Sequence, residues 1–344
     1  MNRRIWAFLV PILSVVFALI VAAVIIVLIG QNPLVAYKAM VLGAFGNVQA
    51  FTDTIIKTTP LILTGLAVGF GFRAGLFNIG AEGQMIMGGI LATVVGMNLR
   101  GIPPALAVPL TMLFGILGGM TWASIAGYLK AKTGAHEVVT TIMLNWIASH
   151  LSSYLITGPL AVGSGTPKSP EIAPSAKLPP ILTVGAMELT SGIVISVLSA
   201  FLMYILLEKT TTGYEVKAVG FNPYAAEYGG ISISKNIVMC MAISGALAGL
   251  AGALEVMGQY HRFLGTLSGG KGFDGISIAL IGQNHPIGII FAALLIAALR
   301  TGSNNMQFVG VPKHIVTIVQ GIVIFLVAAD RIVRTIVIRK KVKR

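Results

Sequence analysis

Residues 5–30 read IWAFLVPILSVVFALIVAAVIIVLIG, a run without one charged side chain. It exceeds the roughly 20 residues that a helix needs to cross the hydrocarbon core of a bilayer, and it is too long for the apolar core of a signal peptide. It predicts a retained first membrane helix, entered from the cytoplasmic side behind Arg3 and Arg4. The rest of the chain repeats the signal. Of 344 residues, 56% are hydrophobic and 10% charged, and the mean hydropathy is +0.89. A soluble core of this size does not need such a composition. The expected fold class is an all-α polytopic membrane protein, one transmembrane domain over residues 1–344 in contact with membrane lipids.

Further apolar runs predict spans at Pro104–Leu129, Val138–Ile156, Ile193–Leu207 and Ile237–Met257. Residues 31–57, with Lys38, Asp53 and Lys57 and the breakers Gly43 and Gly46, read as an external amphipathic segment. The runs Pro60–Phe72 and Gly83–Leu99 flank a glycine-rich stretch holding Arg73 and Glu82, and the first of them is short enough to suggest a broken or tilted helix. Six prolines between Pro159 and Pro180 make residues 158–190 a long nonhelical loop, placed outside. Residues 208–235 form a polar cytoplasmic loop. The last apolar stretches are Ile276–Leu299 and Ile315–Ala329, and Gln283-Asn284-His285-Pro286 interrupts the first. Pro286 denies a helical hydrogen bond there. Reading that interruption as a junction of two short helices gives about ten crossings and leaves both termini cytoplasmic, as the positive-inside tendency favours.

The 24 Lys and Arg outnumber the 11 Asp and Glu, for a net charge of +13. Seven of the basic residues fall between Arg331 and Arg344. This tail, residues 330–344, fits attraction to an anionic cytoplasmic leaflet and not a nucleic-acid groove. The one cysteine, Cys240, sits in an apolar segment, and the five histidines show no metal-ligand spacing, so neither a disulfide framework nor a metal site is expected. The chain has no G-x-x-x-x-G-K-[ST] phosphate loop. Gly269-Gly270-Lys271-Gly272 lacks the spacing and the hydroxyl, so no cofactor is expected and any ATP must be bound by partner subunits.

Three local patterns carry the functional reading. In the polar loop, Asn222 is a good helix N-cap, Pro223 a good first residue and Gly229 or Gly230 a good stop, which encodes a helix of about two turns. Such a knob is either a plain surface connection or a lever seated in a partner's groove. Second, Gly65/Gly69, Gly71/Gly75, Gly115/Gly119 and Gly245/Gly249 are small-xxx-small pairs that allow close helix approach in lipid. They leave Arg73 and Glu82 unexplained, since charges at membrane depth pair or line a polar cavity. Third, Thr141, Asn145, Ser149 and Ser152 form a polar stripe, serving either interhelical hydrogen bonds or a solute path. Together with Asn78, Glu82, Gln84, Glu255 and Asn284, Thr141 and Asn145 are the candidate solute-path residues.

At these residues the chain resembles the permease subunits of bacterial ATP-binding-cassette importers, in the superfamily that handles simple sugars, branched-chain amino acids and nucleosides, and within it the nucleoside branch. The resemblance rests on Leu63–Met85, Glu137–Asn145, Gly213–Ile231, Ser244–Glu255 and Gly272–Leu280, and spans about residues 60–300. It implies a multi-pass protein of the bacterial inner or plasma membrane. It also implies four kinds of partner: a second permease, cytoplasmic ATP-binding subunits, an extracellular or periplasmic solute-binding protein, and a small polar solute. The similarity to paired long and short permeases points to a heterodimer. Under the resemblance, Gly213, Gly220, Asn222, Pro223, Ala225, Ala226, Glu227 and Gly230 belong to the loop that docks onto the ATPase, with a tighter turn before Ile231 than in maltose-type permeases.

Two other classes fit less well. A secondary carrier would place several ionisable residues at mid-membrane for ion coupling, and here Glu255 and Glu82 are the candidates. A membrane-embedded enzyme would need a clustered nucleophile, metal set or acid–base pair, and no catalytic residue is proposed. Between a nucleoside and a ribose-like sugar the residues alone leave the solute open.

Overall fold

A computed structural model of the chain describes residues 3–163, 165–312, 314–322 and 325–326. The helices in chain order are α1 (Arg3–Leu28), α2 (Pro33–Phe45), α3 (Val48–Arg73), α4 (Ala81–Asn98), α5 (Pro104–Thr133) and α6 (Glu137–Thr157), then α7 (Gly192–Lys209), α8 (Thr211–Phe221), α9 (Pro223–Tyr228), α10 (Ile233–Glu255), α11 (Lys271–Ile281) and α12 (Pro286–Phe308). Five of them, α3, α5, α7, α12 and α10 with the π-turn that extends it to Tyr260, are long and apolar enough to cross a membrane. The chain is a multi-pass helical membrane protein. The basic tail 330–344, and the end of the expected last span beyond residue 326, lie outside the described residues.

Residues 31–57 differ from the expected external segment. Asn32 and Asn47 cap two helices, accepting from the amides of Leu34 and Ala50, and α3 then runs unbroken from Val48 to Arg73, straight through Pro60. The polar residues are tolerated because the Thr52, Thr54 and Thr58 hydroxyls donate to carbonyls one turn back in their own helix. The hydroxyl of Ser196 in α7 donates to the Thr59 carbonyl beside the proline. At about 39 Å, α3 is a full span and not a short one. Gly43 does not break α2: it is buried where a side chain would strike Asn305 of α12.

Gly115 and Gly119 of α5 face Gly245 and Gly249 of α10, so closely that a β-carbon on Gly119 or Gly249 would overlap a carbonyl of the opposite helix. Gly88 and Gly252 bring α4 and α10 together in the same way. The α4, α5 and α10 backbones thus meet along a glycine seam, the packing that small residues permit where lipid offers no hydrophobic drive.

The interruption at residues 282–285 is a true helix break. Gln283 and Asn284 adopt left-handed backbone (φ +54° and +55°), and Pro286 opens the next helix. The two pieces are unequal, however. The 11 residues of α11 are too few for a full span, whereas the 23 of α12 reach about 35 Å, long enough to cross. The long loop is mostly irregular, as expected, but carries a hairpin absent from an all-α plan, β1 (Pro180–Val184) against β2 (Met187–Thr190), with Gly185 at φ +61° in the turn. The Leu178 amide ties it to the Met257 carbonyl in the π-turn, so the loop is fastened over that end of the bundle.

Candidate functional site

The candidate residues gather at two ends of the bundle. At the end away from the hairpin, the Asn222 side chain accepts from the Ala225 amide at 3.2 Å and Gly230 closes the turn at φ +84°, which defines α9. Ala226 is buried against the bundle, while Tyr224, Glu227 and Tyr228 stand in solvent, Tyr228 at 98% exposure. Phe221 and Tyr214 are exposed beside them, and a groove of about 470 Å³ runs between α8 and α9. An aromatic patch of this kind on a polar loop marks a contact surface. These four aromatics were missed by the sequence reading, which weighed caps and glycines. Their helical spacing, Tyr214 to Phe221 and Tyr224 to Tyr228, was the available signal.

This knob is fastened to the membrane helices. Gly213 sits where a β-carbon would strike the backbone of Leu206 and Leu207 in α7, and Gly220 lies against Arg73, Ala74 and Gly75 at the end of α3. Gly75 (φ +72°) matches Gly220 across that contact. Arg73 then spans to the helix break: its Nε donates to the Asn284 carbonyl at 3.0 Å, and its guanidinium lies 4.0 Å from Glu208, which pairs with Lys217 of α8 at 2.9 Å. One arginine therefore touches the ends of α3 and α7 and the α11–α12 break, and reaches α8 through Glu208.

At the hairpin end, α3, α10, α11 and α12 enclose a polar cavity of about 270 Å³. Asp53 and Lys57 pair on α3 at 2.7 Å, and Lys271 of α11 reaches Glu255 of α10 at 2.8 Å. Arg300 of α12, also in the lining, pairs with Asp274 of α11 at 2.5 Å. Gln259, Tyr260 and Asn304 add neutral polar groups to the lining, and Ile56 and Leu61 apolar ones. His261, just past the span, is held below the usual imidazole range by burial and then by the Lys177 charge, with Glu188 and Glu171 opposing.

The model of the family described as the branched-chain amino acid transport system permease component matches residues 50–328. The chain belongs to this permease family. The guanosine ABC transporter permease protein NupP of Bacillus subtilis is 40% identical over 349 residues, covering 100% of this chain and 99% of NupP. The nucleoside ABC transporter permease protein NupB of Lactococcus lactis is 35% identical, over 99% and 96% of the two chains. The glucose ABC transporter permease protein TsgB13 of Haloferax volcanii is 35% identical, over 93% and 87%. A second B. subtilis guanosine permease protein, NupQ, is 30% identical over 70% and 77%, so two chains of one organism resemble this permease. No solved structure matches it.

The permease places its seven candidate solute-path residues in different settings. Glu255 lines the cavity. Asn78 and Gln84 bond to each other at 3.0 and 3.1 Å, and Asn78 donates to Ser244, whose hydroxyl donates to the Ala67 carbonyl. Glu82 accepts from the Gly270 and Gly272 amides, capping α11 with the negative charge that a helix N-terminus favours. Asn145 donates to the Ile79 carbonyl and accepts from the Gly83 amide, fastening α6 to the start of α4. The Thr141 hydroxyl donates within its own helix, to the Glu137 carbonyl. Asn284 lies at the break, near the other end of the bundle. The polar stripe of α6 thus includes an interhelical anchor, and the cavity gathers side chains that sequence separation had hidden: Asp53, Lys57, Gln259, Tyr260, Lys271, Arg300 and Asn304.

Proposed function

We propose that this permease is the membrane subunit of an ATP-driven importer of nucleosides in a bacterial inner or plasma membrane. On this reading it pairs with a second permease, most simply a different chain, receives solute from an external binding protein, and docks α9 on a cytoplasmic ATPase subunit. It binds no ATP and needs no cofactor of its own. The hairpin end then faces outward, the α8–α9 end and both termini face the cytoplasm, and counting α11 as a half-span gives about ten crossings.

The observation that carries the reading is the full-length similarity to NupP and NupB, two permeases whose names specify nucleosides. The geometry supports the same cycle. ATP-driven closure of the partner ATPases moves α9, and the Gly220–Gly75 contact and Arg73 pass that movement to α3 and to the α11–α12 break. The solute path then opens to one side or the other, a two-state transition carried by rigid elements and not by chemistry on the solute. Gly213, Gly220, Asn222, Pro223, Ala225, Ala226, Glu227 and Gly230 shape the lever, and Tyr224 and Tyr228 supply its contact area.

The test is uptake of labelled guanosine, adenosine, uridine, ribose and glucose into proteoliposomes holding the complete transporter, wild type against Glu227→Arg and Tyr228→Ala. Nucleoside uptake that needs ATP and collapses in both variants, with solute binding to the binding protein intact, supports the reading. Sugar uptake without nucleoside uptake moves the permease to the reading that TsgB13 favours. Uptake driven by a proton gradient without ATP would overturn it.

A further inference from the structure

We infer that the face of α5 nearest the α9 end, together with the start of α10, binds an anionic phospholipid, with the headgroup between Lys132 and Lys235 and an acyl chain along α5. The inference needs only a multi-pass membrane protein and holds whatever solute the permease carries. Charge singles the place out. Lys57, Lys130, Lys217 and Lys271 each have a carboxylate oxygen within 2.9 Å. Lys132 and Lys235 are exposed and have no carboxylate partner among the described residues, yet both line one groove of about 600 Å³, with Tyr128, Ser234, Val238 and Met239. The Lys132 ammonium is held on the rim by Tyr128, one turn back: it donates to the phenolic oxygen at 2.9 Å and lies 5.4 Å from the ring centroid. That oxygen accepts, so its own O–H remains free to donate. Two ammonium groups and two hydroxyls at the rim of an apolar groove are the complement of a phosphate carried on an apolar tail.

Beyond this rim the same helix offers an apolar track. A second groove, of about 430 Å³, follows α5 from Met120 to Leu129 past Ile125, and Tyr128 stands in the wall of both grooves. The two hydroxyls along it are spent on their own helix: Thr121 donates to the Leu117 carbonyl and Ser124 to the Met120 carbonyl, at 2.8 and 2.7 Å. The track therefore presents hydrocarbon to a chain lying against it. From Met120 to Ala131 the helix rises about 17 Å, close to half of the roughly 30 Å hydrocarbon core, which is the depth of one leaflet. Gly127 fixes the rim, since a β-carbon there would strike Met241 and Val238 of α10, so the two helices are in close contact beside the groove. Lys235 stands five residues after Gly230, the turn that closes α9. A headgroup held by Lys235 thus lies at the foot of α9.

The test is photo-crosslinking of the complete transporter in phosphatidylcholine vesicles that hold a small fraction of either phosphatidylglycerol or phosphatidylcholine carrying a diazirine in its acyl chain, with the labelled residues mapped by mass spectrometry. A lysine beside an anionic headgroup is worth about a fivefold preference. The phosphatidylglycerol probe is therefore expected to label residues 120–129 about twentyfold more than the phosphatidylcholine probe, while both label the exposed Ile287 and Phe291 at the start of α12 equally. Lys132→Gln combined with Lys235→Gln should bring the two probes to parity at 120–129, and Lys132→Arg combined with Lys235→Arg should keep the preference. The basic residues 331–344 stay unaltered throughout, so their attraction is common to every variant. Equal labelling of 120–129 by the two probes in the wild type, or a preference that survives the glutamine pair, would overturn the site. A preference of the same size at 287 and 291 would mean a general surface potential and would overturn it as well. Absence of labelling at 120–129 by either probe would mean that protein, the second permease foremost, covers this face, and the lipid site would fall.

Discussion

Replacing Arg73 by Met removes the side chain that joins the knob end of the bundle to the α11–α12 break. Its Nε–H donates to the Asn284 carbonyl at 3.0 Å, a hydrogen bond from a charged donor, worth about 1.5–3 kcal/mol. The contact with Glu208 adds less: at 4.0 Å, with the two side chains 27% and 31% exposed, it falls in the range of about 0–1 kcal/mol, and Glu208 keeps Lys217 as partner. About 2 kcal/mol is therefore at stake. If Arg73 holds the break in one of the two transport states and releases it in the other, the variant shifts that equilibrium by about thirtyfold. Guanosine uptake and ATP hydrolysis, measured in the same proteoliposomes, give the ratio of molecules moved per ATP. The expected result is a ratio lowered by more than tenfold with hydrolysis retained, and partial recovery in Arg73→Lys, which keeps the charge but not the fork. An unchanged ratio together with a lower melting temperature would refute the reasoning, because it would mean that the bond is present equally in both states.

Three further outcomes follow from the same geometry. Gly220→Ala places a methyl group against the Arg73 carbonyl, where backbone on both sides cannot yield, so α8 must lift from α3 at a cost of about 1–3 kcal/mol, and uptake per ATP falls while the docking surface itself is unaltered. Lys271→Met leaves the Glu255 charge buried and alone and lowers thermal stability in detergent by about 3–5 kcal/mol, and adding Glu255→Gln recovers most of that loss. His261 resists protonation in the fold, so its contribution is present above the ordinary imidazole pKa of about 6.5 and is lost as pH falls through its lowered folded value. A melting series from neutral to mildly acid pH should drop less steeply in His261→Asn, a replacement suited to the left-handed backbone there.

The membrane class, the main spans, the two-turn helix behind Asn222 and the break before Pro286 were legible because each depends on local chemistry: uncharged length, a cap, a missing amide. The glycine pairs of α5 and α10 were legible for the same reason, and the structure sets them against each other. Residues 31–57 misled because Asp53 and Lys57 satisfy each other one turn apart on α3, and because Gly43 packs against Asn305 instead of breaking α2. The polar cavity at the hairpin end was largely hidden. Asp53, Glu255, Lys271 and Asn304 come from four helices, and nothing in a linear chain says that their ends converge, whereas Asn78, Gln84 and Asn145, which stand out as polar residues among apolar neighbours, spend their hydrogen bonds on one another, on Ser244 and on the backbone.

The glycine seam joining α4, α5 and α10 has a mechanical consequence. Backbones in direct contact cannot slide without collision, so these three helices form the stator of the machine. Relative movement during a transport cycle is then left to helices outside the seam, such as α7 and α12, which meet α3 through side chains such as Ser196 and Ile289. Spin labels placed on α5 and α10 should keep one fixed separation through every nucleotide state, while pairs joining α5 to α12 report the stroke.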